Sequence, residues 1–291
     1  MALSSTRDLS TFEHSTPDTG TRASHVNRMA QSAPVRFAAA VLVAWFLVAA
    51  LGVALWSTFT GDPMLHDGSQ AAGRVVATAL LVVFLYWLGW LDQSGITRSG
   101  PRQVWLIATL AVVYLAPAYA WGLFGQSGLE ALPRAWDGFS RELPIGISVG
   151  IAEEFLFRGV LLLVLVRAWG TSRRGVLRAV LLTSVMFGLM HASPALTGED
   201  LGHVTANLLG TIVSAVWWAV LVLTYRTVWP GVVIHTLTNS ATFAVAEIAQ
   251  QSSLGAWGSL RVDLLELPWL VFGVWLLMSE RRFSRREIPR E

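Results

Sequence analysis

Three ionisable residues sit where an apolar sequence has little use for them. The stretch Gly150-Ile-Ala-Glu-Glu-Phe-Leu-Phe-Arg-Gly159 places Glu153, Glu154 and Arg158 within six residues, inside a run that is otherwise apolar from 144 to 167. A charge at the middle of a membrane span costs at least about 2.5 to 3.5 kcal/mol, so each one calls for a reason. On a helix Glu154 and Arg158 are four apart and share a face, whereas Glu153 sits about 100° round from them. Adjacent carboxylates in a low-dielectric site cannot both ionise cheaply. A bridged Glu154 keeps its charge, and Glu153 is left able to take a proton from water. An Arg–Glu clasp that merely ties helices together explains two of these charges and leaves Glu153 unexplained.

Two histidines also fall inside apolar runs. His191 ends Phe187-Gly-Leu-Met-His191, just before Ser193-Pro194, and His235 begins His235-Thr-Leu-Thr-Asn239. His235 and Asn239 are four apart and point the same way on a helix. Either histidine alone reads as a buried ring bonded to a neighbouring carbonyl. With Glu153 on a third helix, the set becomes one carboxylate, two imidazoles and one amide, which can hold a water, activate it and stabilise an oxyanion. Rival chemistries lack their groups. The chain has no cysteine and no lysine, hence no thiol nucleophile and no Schiff base, and it has neither a Gly-rich phosphate loop nor a Gly-x-Ser-x-Gly elbow. His14, His25 and His66 fall in the tail or the first outer loop, and His203 lies at a span edge near Glu199 and Asp200.

The elements that must position these groups are membrane helices. Of the 291 residues 54% are apolar and 14% charged, against roughly 25% charged in a soluble domain. A net charge of +2 is too small to imply a polyanion partner, so nucleic acid binding is not expected. Apolar runs at 37–56, 72–91, 103–124, 144–167, 177–192, 204–224, 230–250 and 264–279 are each near the length of a bilayer crossing. Continuous runs without the alternation of barrel strands must be helices there. The expected fold is all-α and polytopic, with about eight transmembrane helices. Residues 1–35 read as a disordered cytoplasmic tail with no cleaved signal, 36–280 as one membrane domain whose motif-bearing core is 144–250, and 281–291 as an Arg-rich cytoplasmic tail. Sixteen of the 21 arginines fall on the side holding both termini, four fall opposite, and Arg158 lies within a span. Both termini are therefore expected in the cytoplasm.

Several residues have simpler readings. Most of the 14 Trp and 13 Phe should face lipid or lie near interfaces, among them Trp87, Trp90, Trp105, Trp229 and Trp257. Arg74, at the start of the second span, is expected to snorkel, Glu247 to line a cavity or loop, and the arginines between 281 and 290 to meet lipid head groups. Depth poses a difficulty. Glu153 and His191 lie about 21 to 23 Å from the cytoplasmic ends of their helices, but His235 is under about 10 Å from Pro230 at 1.5 Å per residue. They can meet only through tilt, a kink, or a seventh span that starts deeper than its run suggests.

Glu153-Glu154-x-x-x-Arg158-Gly159, Phe187-x-x-x-His191 and His235-x-x-x-Asn239 resemble, in order and spacing, the three motifs of the CAAX-protease and bacteriocin-processing family of intramembrane glutamic endopeptidases, which includes the type II CAAX prenyl endopeptidases and Abi proteins. The resemblance implies that Glu153 is the general base for the attacking water, with His191 helping to bind it. It implies that Glu154 and Arg158 form a supporting ion pair, and that His235 and Asn239 stabilise the oxyanion. It favours a mechanism without a cofactor. Zinc on Glu153, His191 and His235 stays open as the alternative. The implied partners are the lipid bilayer and a peptide or membrane-protein substrate, with the oligomeric state undefined. A chain without lysine and rich in Arg, Ala, Gly and Val suggests a high-GC bacterium, hence a plasma-membrane location and a peptide precursor, leader or membrane-protein tail in preference to a prenylated substrate. Two other functions compete: a non-proteolytic immunity or assembly protein on the same scaffold, and a small-solute transporter, for which the paired broken helices are missing.

Overall fold

The computed structural model describes residues 21–64, 66–124, 132–249 and 265–279. The expectations for residues 1–20, for Trp257 and for the arginines from 281 to 290 lie outside that range. The described residues are helical and contain no strand. In chain order the helices are α1 (Thr21–Ser32), α2 (Pro34–Thr60), α3 (Asp67–Trp87), α4 (Arg102–Phe124), α5 (Leu132–Glu154), α6 (Leu162–Trp169), α7 (Arg173–Met190), α8 (Leu201–Tyr225), α9 (Trp229–Ala249) and α10 (Leu267–Ser279). A π-helical segment, Phe155–Leu161, joins α5 to α6, and a 3-10 turn, Ser193–Thr197, precedes α8.

The protein is a membrane protein, with four helical stretches among the described residues long and apolar enough to cross a bilayer: Pro34–Thr60, Asp67–Trp87, Arg173–Leu196 and Leu201–Tyr225. The other expected spans coincide with helices of different character. The apolar parts of α4 and α10 are shorter, at Arg102–Pro117 and Leu267–Ser279. The α5–α6 rod carries the charged residues, and α9 carries His235, Thr236, Thr238, Asn239, Ser240 and Thr242.

The first 35 residues are not all tail. Thr21–Ser32 is a helix because Ala23, Val26 and Ala30 make a stripe at helical spacing that packs into the core, with both alanines buried. Tryptophan placement also departs from the expectation. Trp87 is exposed, but Trp90, Trp217 and Trp218 are buried and belong to the main core.

The position of α9 removes the depth difficulty. Residues 88–101, between α3 and α4, fold inward, with Leu88, Trp90 and Ser94 buried. The connection from α8 to α9 rests on this loop. Val228 N–H donates to the Gly95 carbonyl at 3.3 Å, Trp229 Nε1–H donates to the Ile96 carbonyl at 2.8 Å, and the Thr227 hydroxyl donates to the Arg98 carbonyl. Gly95 has φ +79°, and a Cβ there would lie 3.1 Å from Thr227 Cα, so a larger residue would be excluded on both counts. The loop itself packs against the middle of the α5–α6 rod, where a Cβ on Gly159 would lie 3.3 Å from Ile96 Cδ1. As a result α9 begins beside Phe155, whose ring meets that of Trp229 edge-on at 5.6 Å. The seventh expected span thus starts deep in the bundle, its irregular lead-in shielded by protein.

From there α9 runs antiparallel to α5 at close range. A Cβ on Gly150 would lie 2.5 Å from Thr236 Oγ1, and one on Gly146 2.2 Å from Ser240 Oγ. The spacing Gly146-x-x-x-Gly150 lets the two backbones approach as small residues do at membrane helix crossings.

Candidate active site

Glu153 and Glu154 end α5, and the seven residues after them are a π-helix in which Leu162 N–H reaches back five residues to the Phe157 carbonyl. All seven, Phe155–Leu161, are buried. Such segments interrupt α-helices at functional sites more often than elsewhere. Glu154 turns into the core, and its Oε1 takes two contacts, from Arg158 Nη1 at 3.0 Å and from His235 Nδ1 at 3.1 Å. Its side chain is 0% exposed, and that of Arg158 is 2%. The ion pair read from the four-residue spacing is present, and His235 joins it from α9.

Arg158 is also held by aromatic faces. Its Cζ stands 4.3 Å from the Phe187 ring centroid and 5.2 Å from that of Trp218. A desolvated cation over a ring gains about 2 kcal/mol. Trp218 in turn lies 4.9 Å from the His235 ring, and Phe187 meets His191 at 4.8 Å and His235 at 5.8 Å. Phe187 is thus the hub around which one cation and two imidazoles are arranged.

Glu153 takes the other direction. Its Oε2 faces His235 Nε2 at 3.7 Å and His191 Nε2 at 4.0 Å, and is buried without a hydrogen-bond partner. Partners set the ring protons. His191 caps the end of α7, and its Nδ1 lies 2.9 Å from the Phe187 carbonyl, which can only accept. Nδ1 therefore carries a proton, and Nε2 faces Glu153. His235 Nδ1–H donates to Glu154 in the same manner. Asn239, one turn further along α9, is half-buried. The separations of 3.7 and 4.0 Å exceed a direct hydrogen bond. Polar groups at this spacing suit one small molecule between them.

Glu153, Glu154, Arg158, His191 and His235 are therefore together. As for a metal, no group of three or more His, Cys, Asp or Glu among the described residues has the geometry to hold one. Tetrahedral zinc with bonds near 2.0 to 2.2 Å would want its ligand atoms about 3.4 Å apart, closer than the 3.7 and 4.0 Å here.

Sequence reasoning missed three contributors. Trp218, which no motif singles out, lies in the middle of α8 and stands over Arg158 and His235. Glu266, just before α10, is a further buried acid, and its Oε2 accepts from the Ser214 hydroxyl and from Trp217 Nε1 at 3.3 Å. Gly231 allows Glu154 its place, since a Cβ there would lie 2.9 Å from Glu154 Oε2. Gly231→Ala is expected to push Glu154 away from His235 and Arg158. Overpacking of this kind costs about 1 to 3 kcal/mol. A lower melting temperature in detergent than wild type is the check, and an unchanged one would contradict the packing described.

Residues 138–241 match the family described as type II CAAX prenyl endopeptidase Rce1-like. The stretch contains every residue of the cluster named above except Glu266. No curated protein and no solved structure matches the chain. The likeness suggests a CAAX-protease-like intramembrane peptidase.

Proposed function

We propose that the chain is an intramembrane endopeptidase that hydrolyses a peptide bond of a membrane-associated peptide or membrane protein, with Glu153 as general base. The observation that supports it best is the approach of Glu153 Oε2 to His235 Nε2 and His191 Nε2, at 3.7 and 4.0 Å. In this mechanism a water donates one hydrogen to Glu153 and the other to His191. Glu153 removes its proton as the oxygen attacks the scissile carbonyl carbon. The carbonyl electron pair moves onto oxygen, where His235 and Asn239 supply donors. His235 is placed for this because Glu154 Oε1 at its Nδ1 holds the ring with Nε2 toward Glu153. The C–N bond then breaks, and Glu153 returns its proton to the departing amine.

The arginine distribution supports eight crossings with both termini in the cytoplasm. Composition supports a bacterial plasma membrane and a peptide precursor, leader or membrane-protein tail as substrate. Peptide-terminus profiling should detect new termini in membranes containing the protein, and these should vanish when His235→Ala replaces wild type. Identical termini in both membranes would reject a peptidase. Chelators should leave the cleavage unchanged, and activity lost to a chelator and restored by zinc would overturn the metal-free mechanism.

A further inference from the structure

Side-chain exposure across the site rises in one direction, from 0% at Glu154 and 2% at Arg158, through 14% at Glu153, to 27% at His191. Toward the end of the bundle where α8 stops and α9 starts, the site is sealed. Trp90 and Ser94 of the inward-folded loop are buried there, as are Thr227, Val228 and all of Phe155–Leu161. His191 lies at the other end, 18 residues after Arg173, where α7 begins. At 1.5 Å per residue that is about 27 Å, close to the thickness of a bilayer core, about 30 Å.

A polar track leads the same way. Trp218 meets the His235 ring at 4.9 Å, and Asn207 and Thr211 stand eleven and seven residues before it. At about 100° per residue both lie within about 20° of its direction on α8. Asn239 and Thr242 follow His235 by four and seven on its face of α9. Asn207, Thr211 and Asn239 are half-buried, and Thr242 is exposed. The end of α7 is held beside this stretch of α8, since a Cβ on Gly188 would meet Ile212 Cγ1 and lie 3.1 Å from the Leu208 carbonyl oxygen. Thr211 and Thr242 give their hydroxyl hydrogens to the Asn207 and Thr238 carbonyls at 2.7 and 2.9 Å, so each oxygen keeps a lone pair for a peptide N–H. Arg74 adds polarity to this half of the bundle. Instead of snorkelling it turns from α3 to Ser148 of α5, Nη1 to Oγ 3.5 Å, and Gly73 sets that rotation because a Cβ there would lie 2.5 Å from the Ala49 carbonyl oxygen of α2. Polar side chains this far inside membrane helices face a bundle interior or a water-filled cavity.

Arg167, Arg173, Arg174 and Arg178 cluster at the sealed end, the side to which sixteen of the 21 arginines belong. We propose that the site is reached from the extracytoplasmic face, along the track from Asn207 and Thr242 past His191 to Glu153, and that its substrates are polypeptide segments on that side of the membrane. Such a segment is an exported peptide or the outward-facing tail of a membrane protein. The substrate class rests on the peptidase reading above and the side of entry on the arginine distribution, whereas the route through the bundle rests on neither.

The chain has no cysteine, so single introduced thiols report access without background. Full-length Thr211→Cys and Thr242→Cys, with Thr171→Cys marking the sealed end between α6 and α7, are treated with a membrane-impermeant methanethiosulfonate in spheroplasts and in inside-out vesicles from the same cells. Thr211→Cys and Thr242→Cys should react at least about tenfold faster in spheroplasts, and Thr171→Cys faster in vesicles, because a thiol reacts only where the reagent reaches it. If one track variant fails to accumulate, the other decides. Faster reaction of the track variants in vesicles, equal reaction from both sides, or reaction from neither overturns the proposal. Peptide-terminus profiling of the same cells then reads the substrate. Termini lost in Glu153→Gln should map to segments outside the membrane, in the medium for an exported peptide and in the membrane fraction for a tail. Termini confined to cytoplasmic segments overturn the assigned substrate class. Outside labelling with no terminus that depends on Glu153 removes the peptidase reading and the substrate class with it, and leaves the outward route standing.

Discussion

Glu153→Gln should lower peptide cleavage by about 10² to 10⁴-fold, the usual worth of a positioned general base. The substitution preserves shape and removes the ability to accept a proton. Its effect on folding should be small. Glu153 Oε2 has no hydrogen-bond partner within the protein, and its nearest basic atoms stand 3.7 and 4.0 Å away, so no network depends on it. The check is the cleavage rate of the purified variant beside its melting temperature. A folded variant that keeps its rate within a factor of about ten would exclude Glu153 as the base.

The second large effect concerns stability. Arg158→Met leaves the Glu154 carboxylate, with a side chain 0% exposed, without its cation. Removing one partner of a buried pair costs about 3 to 5 kcal/mol, and replacing both is often close to neutral. Arg158 also gives up its stacking on Phe187 and Trp218. Arg158→Met alone should therefore melt far below wild type or fail to accumulate in membranes. Adding Glu154→Gln should restore much of the melting temperature, because methionine fills the aromatic slot and the neutral amide no longer needs a cation. It should not restore cleavage, since His235 has then lost the carboxylate that holds its ring toward Glu153. A double variant as unstable as the single one would show that aromatic packing, and not charge, holds this part of the core.

The parts of the site governed by short spacing were legible in the sequence. Residues four apart on a helix share a face whatever surrounds them, which is why the Glu154–Arg158 pair is legible from spacing alone. The helical class was legible for a similarly general reason, since lipid leaves the backbone few alternatives. What could not be read depends on groups far apart in the chain. The deep start of α9 comes from hydrogen bonds between residues 227–229 and the loop at 95–98, roughly 130 positions earlier. Gly231 looks like any glycine after a proline until Glu154 is seen against it. Arg74 resembles a snorkelling residue near a span end unless the rotation of α3 is known. Amphipathic α1 was hidden by its polarity, because alanines make a stripe that hydrophobicity barely registers.

Placing the acids on α5 and the imidazoles on α7 and α9 also orders events during synthesis. His235 follows its partner Glu154 by 81 residues. At about 5 to 20 residues per second, the ribosome needs about 4 to 16 s to cross that interval. Through that time Arg158, already made, can pair with Glu154, while His235 and Asn239 are still missing from the cluster. The cluster of Glu153, Glu154, Arg158, His191 and His235 is complete only when α9 docks on the loop made long before it, so the site assembles last.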